Sequence, residues 1–113
     1  MAGADLEAAR TRLRVERDRL RAELEATVNA PDPMTYGSQA AAATQVFDQQ
    51  RDLALRERAE NQLTQVEAAL ERIERGTFGT CRRCGNPIGA ERLEALPWAA
   101  LCIDCQRLEG RGR

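Results

Sequence analysis

The start of the chain carries a regular stripe of apolar residues separated by charged ones. The stripe consists of Leu6, Leu13, Leu20, Leu24 and Val28. Its first three leucines are seven residues apart, and the positions between them are mostly Arg and Glu. Because residues at these spacings lie on one face of an α-helix, the pattern predicts an amphipathic helix over residues 5–28 that buries one face and exposes the others.

A second apolar stripe lies in the middle of the chain and advances in alternating steps of four and three residues. It consists of Ala59, Leu63, Val66, Leu70 and Ile73. These steps form the seam of a coiled coil and predict a second helix over residues 39–75, ended by Gly76. Glu60 and Arg72 fall off the seam, so we expect both on exposed faces. Earlier in this helix, apolar residues with less regular spacing are Val46, Phe47, Leu53 and Leu55.

The two helices are separated by residues 29–38, which contain two prolines and one glycine and are therefore expected to form a loop. An antiparallel hairpin over residues 1–76, with this loop at its tip, would bury both apolar faces. A helix of about 35 residues would hold the tip about 50 Å from its base. Coiled-coil packing accounts for the stripes, within one chain or between two, so we expect function at the tip, in residues 77–113 or in the overall shape.

Composition indicates long helices rather than a large globular core. Aromatic residues make up 4% of the chain and charged residues 31%. The net charge is −1, with −3 on residues 1–75 and +2 on residues 76–113. This balance lacks the strong basic patch that DNA binding needs, and no stretch reaches the ~18 apolar residues of a membrane span. We therefore expect a protein that binds neither a membrane nor a specific DNA sequence. No signal peptide is recognisable, so we expect the protein in the cytoplasm.

Four cysteines in the last third of the chain form two Cys-x-x-Cys pairs separated by 17 residues. They are Cys81, Cys84, Cys102 and Cys105. Two such pairs are typical of a zinc site with four thiolate ligands. Gly85 directly follows the first pair, where such a turn often needs a left-handed backbone. The alternative is two disulfides, which a reducing cytosolic setting disfavours.

One zinc ion in this site is expected to be structural. The chain contains no His, so all four ligands would be thiolates. Four thiolates fill the tetrahedron, whereas catalytic zinc keeps an open position for water. The binding energy would then serve as folding energy for residues 77–113, a segment too small to build its own core.

The sequence around the cysteines resembles the C-terminal zinc finger of the DksA/TraR family. The shared marks are Cys-x-x-Cys-Gly, Pro-Ile-Gly, Arg-Leu-Glu-Ala and Leu-Cys-Ile-Asp-Cys, and the likeness is close over residues 69–106. The earlier residues agree more loosely through their helical hairpin. The predicted fold is mainly α: an antiparallel coiled-coil helical hairpin followed by a small four-cysteine zinc-finger module with a short C-terminal helix.

The resemblance implies a function as well as a fold. Members of the family are small bacterial proteins that bind RNA polymerase: their coiled coil enters the enzyme's secondary channel, and the zinc end braces on its rim. A transcription regulator of this kind, and not an enzyme, is therefore expected here. The alternative is a zinc-stapled adaptor that binds another protein, for example in a stress response, without activity in the channel.

The loop matches the family only in part. Well-studied members carry two aspartates three residues apart at the tip, with an alanine two residues later. Asp32 matches the first aspartate, whereas Thr35 and Gly37 occupy the other two positions. We expect Asp32, with Thr35 and Tyr36 beside it, to act near the active centre of the polymerase. The alternative is that Asp32 only shapes a turn.

A second departure concerns guanosine tetraphosphate. Some family members bind this nucleotide together with the polymerase, through basic residues before the finger's proline and just after its last cysteine. The matching positions here are Leu96 and Gln106, and both are uncharged. The resemblance therefore implies that this site is absent or weakened.

Overall fold

The computed structural model describes residues 3–28 and 39–111, and these residues form four α-helices. They are α1 (Gly3–Val28), α2 (Gln39–Arg75), α3 (Ala90–Ala95) and α4 (Ile103–Arg111). The only pairing of extended backbone in the described part of the chain is one isolated antiparallel bridge between Thr80 and Pro87. None of the described helices is both long enough and apolar enough to cross a membrane.

Helices α1 and α2 run in opposite directions along each other. Arg10, near the start of α1, pairs with Glu74 near the end of α2 at 3.5 Å. Arg21, three turns farther along α1, pairs with Glu67 at 2.7 Å. The partner on α2 thus moves back toward its start as α1 advances, which is the pattern of an antiparallel pair. The predicted hairpin is confirmed.

The seam of the hairpin holds the residues that the two stripes predict. Fully buried side chains include Leu13, Leu20 and Val66, and Leu63 and Leu70 lie half-buried beside them. Ala69 is also fully buried, although it is not part of the predicted stripe. The side chain of Val28 and the whole predicted loop lie outside the described residues. The predicted seam is therefore confirmed, and it also includes Ala69, which the heptad spacing does not predict.

Helix α2 extends past the last described turn of α1. Leu24 and Ala26 of α1 line one cleft with Asp52 and Leu55 of α2, so α1 ends beside the middle of its longer partner. The irregularly spaced apolar residues of this part of α2 are all more than half exposed, and Phe47 is 73% exposed. They do not belong to the seam.

Helix α2 ends in the way that its glycine predicts. Gly76 has a φ of +77°, and the Thr77 amide donates to the Arg72 carbonyl oxygen at 2.9 Å. This is the 6→1 hydrogen bond of a Schellman motif, which turns the chain out of a helix. A side chain at this position would be strained by the positive φ, so the turn that leads into the cysteine region depends on glycine.

The cysteine region packs on the base of the hairpin through one continuous apolar core. That core joins seam residues such as Leu13 and Ile73 to Phe78, Leu93 and Cys105. Its members come from both helices of the hairpin and from the segments around α3 and α4. The observed architecture is the predicted mainly α fold, with the short C-terminal helix α4 in place.

Arg72 differs from its expected position. It lies off the seam, as the heptad spacing predicts. Its side chain, however, is half-buried against the cysteine region rather than free in solvent. Burial lowers the pKa of its guanidinium, and the nearby Arg82 lowers it further. The heptad pattern predicts contacts between the two helices, and it carries no information on the cysteine region, the zinc finger of residues 77–113, that packs against them. Arg72 therefore forms a contact between the hairpin and this finger.

Candidate metal centre

The first cysteine pair lies in a tight turn closed by backbone hydrogen bonds. The Gly85 amide donates to the Cys81 carbonyl oxygen at 2.9 Å, and the Cys81 amide donates to the Asn86 carbonyl oxygen at 2.8 Å. Gly85 has a φ of +79°, as the sequence predicts. The Asn86 amide also approaches the Cys84 Sγ at 3.5 Å. The turn places the sulfurs of Cys81 and Cys84 within 4.8 Å of each other.

The second pair lies at the start of α4. Cys102 precedes the helix, Cys105 is in its first turn, and the Gln106 amide donates to the Cys102 carbonyl oxygen at 2.9 Å. The helical turn therefore places the two sulfurs close together. The two pairs are tied to each other by the Arg82 amide, which donates to the Ala100 carbonyl oxygen at 2.9 Å.

The four sulfurs meet in one cluster. The ligand atoms of Cys81, Cys84, Cys102 and Cys105 all lie within 4.8 Å of one another, and the Sγ atoms of Cys84 and Cys102 are 3.8 Å apart. A tetrahedron with metal–sulfur bonds of about 2.3 Å has edges of about 3.8 Å. All four cysteines are free thiols, so the alternative of two disulfides is not the arrangement of this structure. The spacing fits one zinc ion.

The sulfurs differ in their surroundings. Cys81 and Cys105 are buried, Cys102 is half-buried and Cys84 is exposed. The pKa of the Cys81 thiol is lowered to about 6, mainly by a hydrogen bond from the backbone amide of Cys84. Burial raises the pKa of the Cys105 thiol to about 12. Because each ligand must lose its proton, metal affinity at such a site depends on pH.

Comparison with known proteins places the cysteine region in a described family. Residues 76–109 match the model of the prokaryotic dksA/traR C4-type zinc finger. A solved structure of the transcription factor DksA2 from Pseudomonas aeruginosa is 34% identical, with a TM-score of 0.75. That likeness covers 100% of this chain and 89% of the other chain. The chain belongs to the DksA/TraR family. A Dks protein from Chlamydia trachomatis, 21% identical with a TM-score of 0.61, shares the fold.

Family membership and sulfur geometry agree on the cofactor. The family's finger is of the C4 type, and the four thiols of this chain stand at the distances of a single tetrahedral site. The cofactor is one structural zinc ion. Four soft thiolates suit zinc, and together they leave no position for a water molecule.

Curated relatives of the family extend the likeness into the hairpin. The proteins named RNA polymerase-binding transcription factor DksA in Escherichia coli K12 and Salmonella typhimurium are each 38% identical over 104 residues. The alignment covers 91% of this chain and 65% of each relative. The chain therefore spans about two thirds of the length of these relatives.

The other residues singled out from the sequence fall in two places. Asp32, Thr35 and Tyr36 lie outside the described residues. Leu96 and Gln106, the two uncharged residues at positions where some family members carry basic ones, line the same open cleft of about 400 Å³ between α2 and the finger.

Three arginines share the cleft with these two uncharged residues, and they were not identified from the sequence. They are Arg72, Arg82 and Arg92. They come from α2, the first cysteine turn and α3, which are far apart along the chain. Only the packing of the finger on the hairpin brings them together, so no local spacing could have shown the cluster.

Proposed function

We propose that this chain binds bacterial RNA polymerase and regulates transcription by inserting its hairpin into the secondary channel of the enzyme. The observation that carries the proposal is the 38% identity, over 91% of the chain, to relatives named for polymerase binding. In this proposal Cys81, Cys84, Cys102 and Cys105 hold the structural zinc, and the finger at residues 77–113 braces on the rim of the channel.

The shape of the molecule supports the proposal. Its extents are 60 × 32 × 20 Å, so it is elongated. Two packed helices, each about 10 Å in diameter, are narrow enough to enter a channel that a globular domain of the same mass could not. The proposed activity is binding, and the closed zinc site stabilises the base of the hairpin.

Association with the polymerase is tested by co-purification and by position-specific crosslinking. A tagged chain is expected to retain core RNA polymerase from a bacterial lysate and to bind the purified enzyme. A photoreactive residue in place of Tyr36 should crosslink to the polymerase at its active centre. The same residue in place of Ile103, which is exposed on α4, should crosslink only at the rim. Failure to bind purified polymerase would leave the adaptor function in its place.

The tip residues have a separate test. We propose that Asp32, with Thr35 and Tyr36, contacts the active centre of the polymerase. Asp32→Asn removes a negative charge and keeps the shape of the side chain, so the melting temperature and the affinity for polymerase should not change. The effect on transcription in vitro should be lost. Equal regulation by Asp32→Asn and the parent, at saturating protein, would reduce Asp32 to a turn residue and leave blockage of the channel as the mechanism.

The response to guanosine tetraphosphate is expected to be weak. Leu96 and Gln106 supply no charge to their cleft, although three arginines line it elsewhere. Transcription assays with the polymerase and this chain should therefore change little when the nucleotide is added. A double variant, Leu96→Arg with Gln106→Lys, should gain a response. A strong response of the parent chain would mean that the three arginines suffice.

A further inference from the structure

Arg72 reaches from the hairpin to the backbone of the finger. Its Nη2 donates to the carbonyl oxygens of Trp98 and Ala99, at 3.3 and 3.4 Å. Ala99 lies three residues before Cys102, one of the four clustered cysteines. The side chain of Arg72 therefore holds the stretch of chain that leads directly into the zinc site.

The next two carbonyl groups of this stretch accept hydrogen bonds from the finger itself. The Ala100 carbonyl oxygen accepts from the Arg82 amide at 2.9 Å. The Leu101 carbonyl oxygen accepts from the Arg92 Nε at 3.1 Å. Four consecutive carbonyls are thus satisfied, the first two by the hairpin and the last two by the finger. Residues 98–101 are the joint between the two parts.

Helix α1 holds the finger at a second point. The Arg12 Nη1 donates to the Glu94 carbonyl oxygen, in the last turn of α3, at 2.9 Å. Both helices of the hairpin therefore reach the same part of the finger, residues 94–99, each through one guanidinium. A single attachment would allow the finger to pivot, whereas two attachments from different helices oppose rotation.

The hydrogen bonds do something that the apolar core between the hairpin and the finger cannot. Burial of apolar surface is non-directional and tolerates small rotations of one body on another. Hydrogen bonds weaken steeply when donor and acceptor lose alignment. The core therefore holds the finger on the hairpin, while the two guanidinium contacts select one angle between them.

We propose that Arg12 and Arg72 are positioning residues that fix the angle between the hairpin and the zinc finger. Helix α2 spans 37 residues and is therefore about 55 Å long. A change of about 10° at the base would displace the far end by about 10 Å, by simple leverage over that length. If the chain regulates the polymerase as proposed above, on which this consequence rests, the angle decides where the tip lies when the finger is on the rim.

The proposal is tested with a double variant, Arg12→Met with Arg72→Met. Methionine keeps an unbranched apolar stem and removes the hydrogen-bond donors. The matched control is Arg19→Met with Arg75→Met, which changes the net charge by the same amount. Arg19 pairs with Glu16 and Glu23 within α1, and Arg75 pairs with Glu71 within α2. Zinc content and far-ultraviolet circular dichroism verify that both proteins fold.

The measurement is the set of residual dipolar couplings of backbone amides in the zinc-loaded chain. In the parent and the control, one alignment tensor should fit both the hairpin and residues 77–111. In the double variant, the finger should require its own tensor of smaller magnitude, because it reorients on the hairpin. If the double variant loses zinc, Arg12→Met alone, at an exposed position, is used and should give the same separation. A single common tensor in the folded variant overturns the proposal.

A second measurement connects the angle to regulation. The double variant should still co-purify with polymerase, through the unchanged finger surface, but its effect on transcription in vitro should fall relative to the control. Undiminished regulation by a variant with two tensors would overturn the role of the angle. If no form of the chain binds polymerase, the proposed function fails, while the dipolar couplings still decide whether Arg12 and Arg72 position the finger.

Discussion

Replacing Cys81 with serine is expected to abolish zinc binding and to unfold residues 77–113. Cys81 is a buried member of the four-cysteine cluster, and a serine hydroxyl is a poor substitute for a thiolate ligand. Three sulfurs would remain for an ion that needs four donors. Zinc content should fall from one ion per chain to near zero, and near-ultraviolet signals from Trp98 should collapse.

The hairpin should respond to the same change only in part. Ile73 at its base shares a core with Phe78 and other residues of the finger, so this end should fray. The seam around Leu20 and Val66 is buried between α1 and α2 and should stay helical. Arg83→Ser, at an exposed position between Cys81 and Cys84, is the control and should retain its zinc. Native zinc content in Cys81→Ser would show that the site does not need this sulfur.

Val66→Asp is expected to melt the hairpin. Val66 is fully buried in the seam, and an aspartate there would place a carboxylate among apolar side chains with no charged partner. A change of this class costs more than about 4 kcal/mol, which is a large share of the stability of a small domain. Circular dichroism at 222 nm during thermal unfolding should show the loss, even in zinc-saturated protein.

Glu60→Ala is the matched control for this change. Glu60 lies on the exposed side of the same helix and pairs with Arg56 at 2.9 Å. Exposed pairs of this kind are worth little, so its removal should change the free energy of unfolding by less than about 0.5 kcal/mol. Leu63→Asp and Leu70→Asp, at half-buried seam positions, should fall between the two. Equal damage from Val66→Asp and Glu60→Ala would contradict the observed register.

The features that local spacing controls were predictable from the sequence. The seven-residue steps of Leu6, Leu13 and Leu20 indicate one face of a helix, because that face is set by helical geometry alone. The two Cys-x-x-Cys pairs indicate a zinc site in the same way, since each turn brings its own sulfurs together. Gly76 and Gly85 could likewise be placed, because both turns need a positive φ.

The features that depend on packing between distant segments were not predictable. Arg72 was placed on an exposed face because its position in the heptad is outside the seam. The part of the finger that covers it, Trp98 and Ala99, lies 26 and 27 residues later in the chain. Arg12 likewise contacts Glu94, 82 positions away. Hydrogen bonds from side chain to backbone leave no periodic signal, because any residue can supply the carbonyl oxygen.

The continuous core gives the hairpin a thermodynamic dependence on the metal. Ile73 and Phe78 belong to one apolar cluster with the cysteines Cys81 and Cys105, so the folded finger contributes packing to the base of the helices. A ligand that binds only the folded state stabilises it in proportion to the logarithm of its free concentration. Each tenfold rise in free zinc above the dissociation constant should therefore add about 1.4 kcal/mol to the stability of every segment that unfolds together with the finger. The resistance to proteolysis of the hairpin base, around Ile73, should therefore increase with the free zinc concentration.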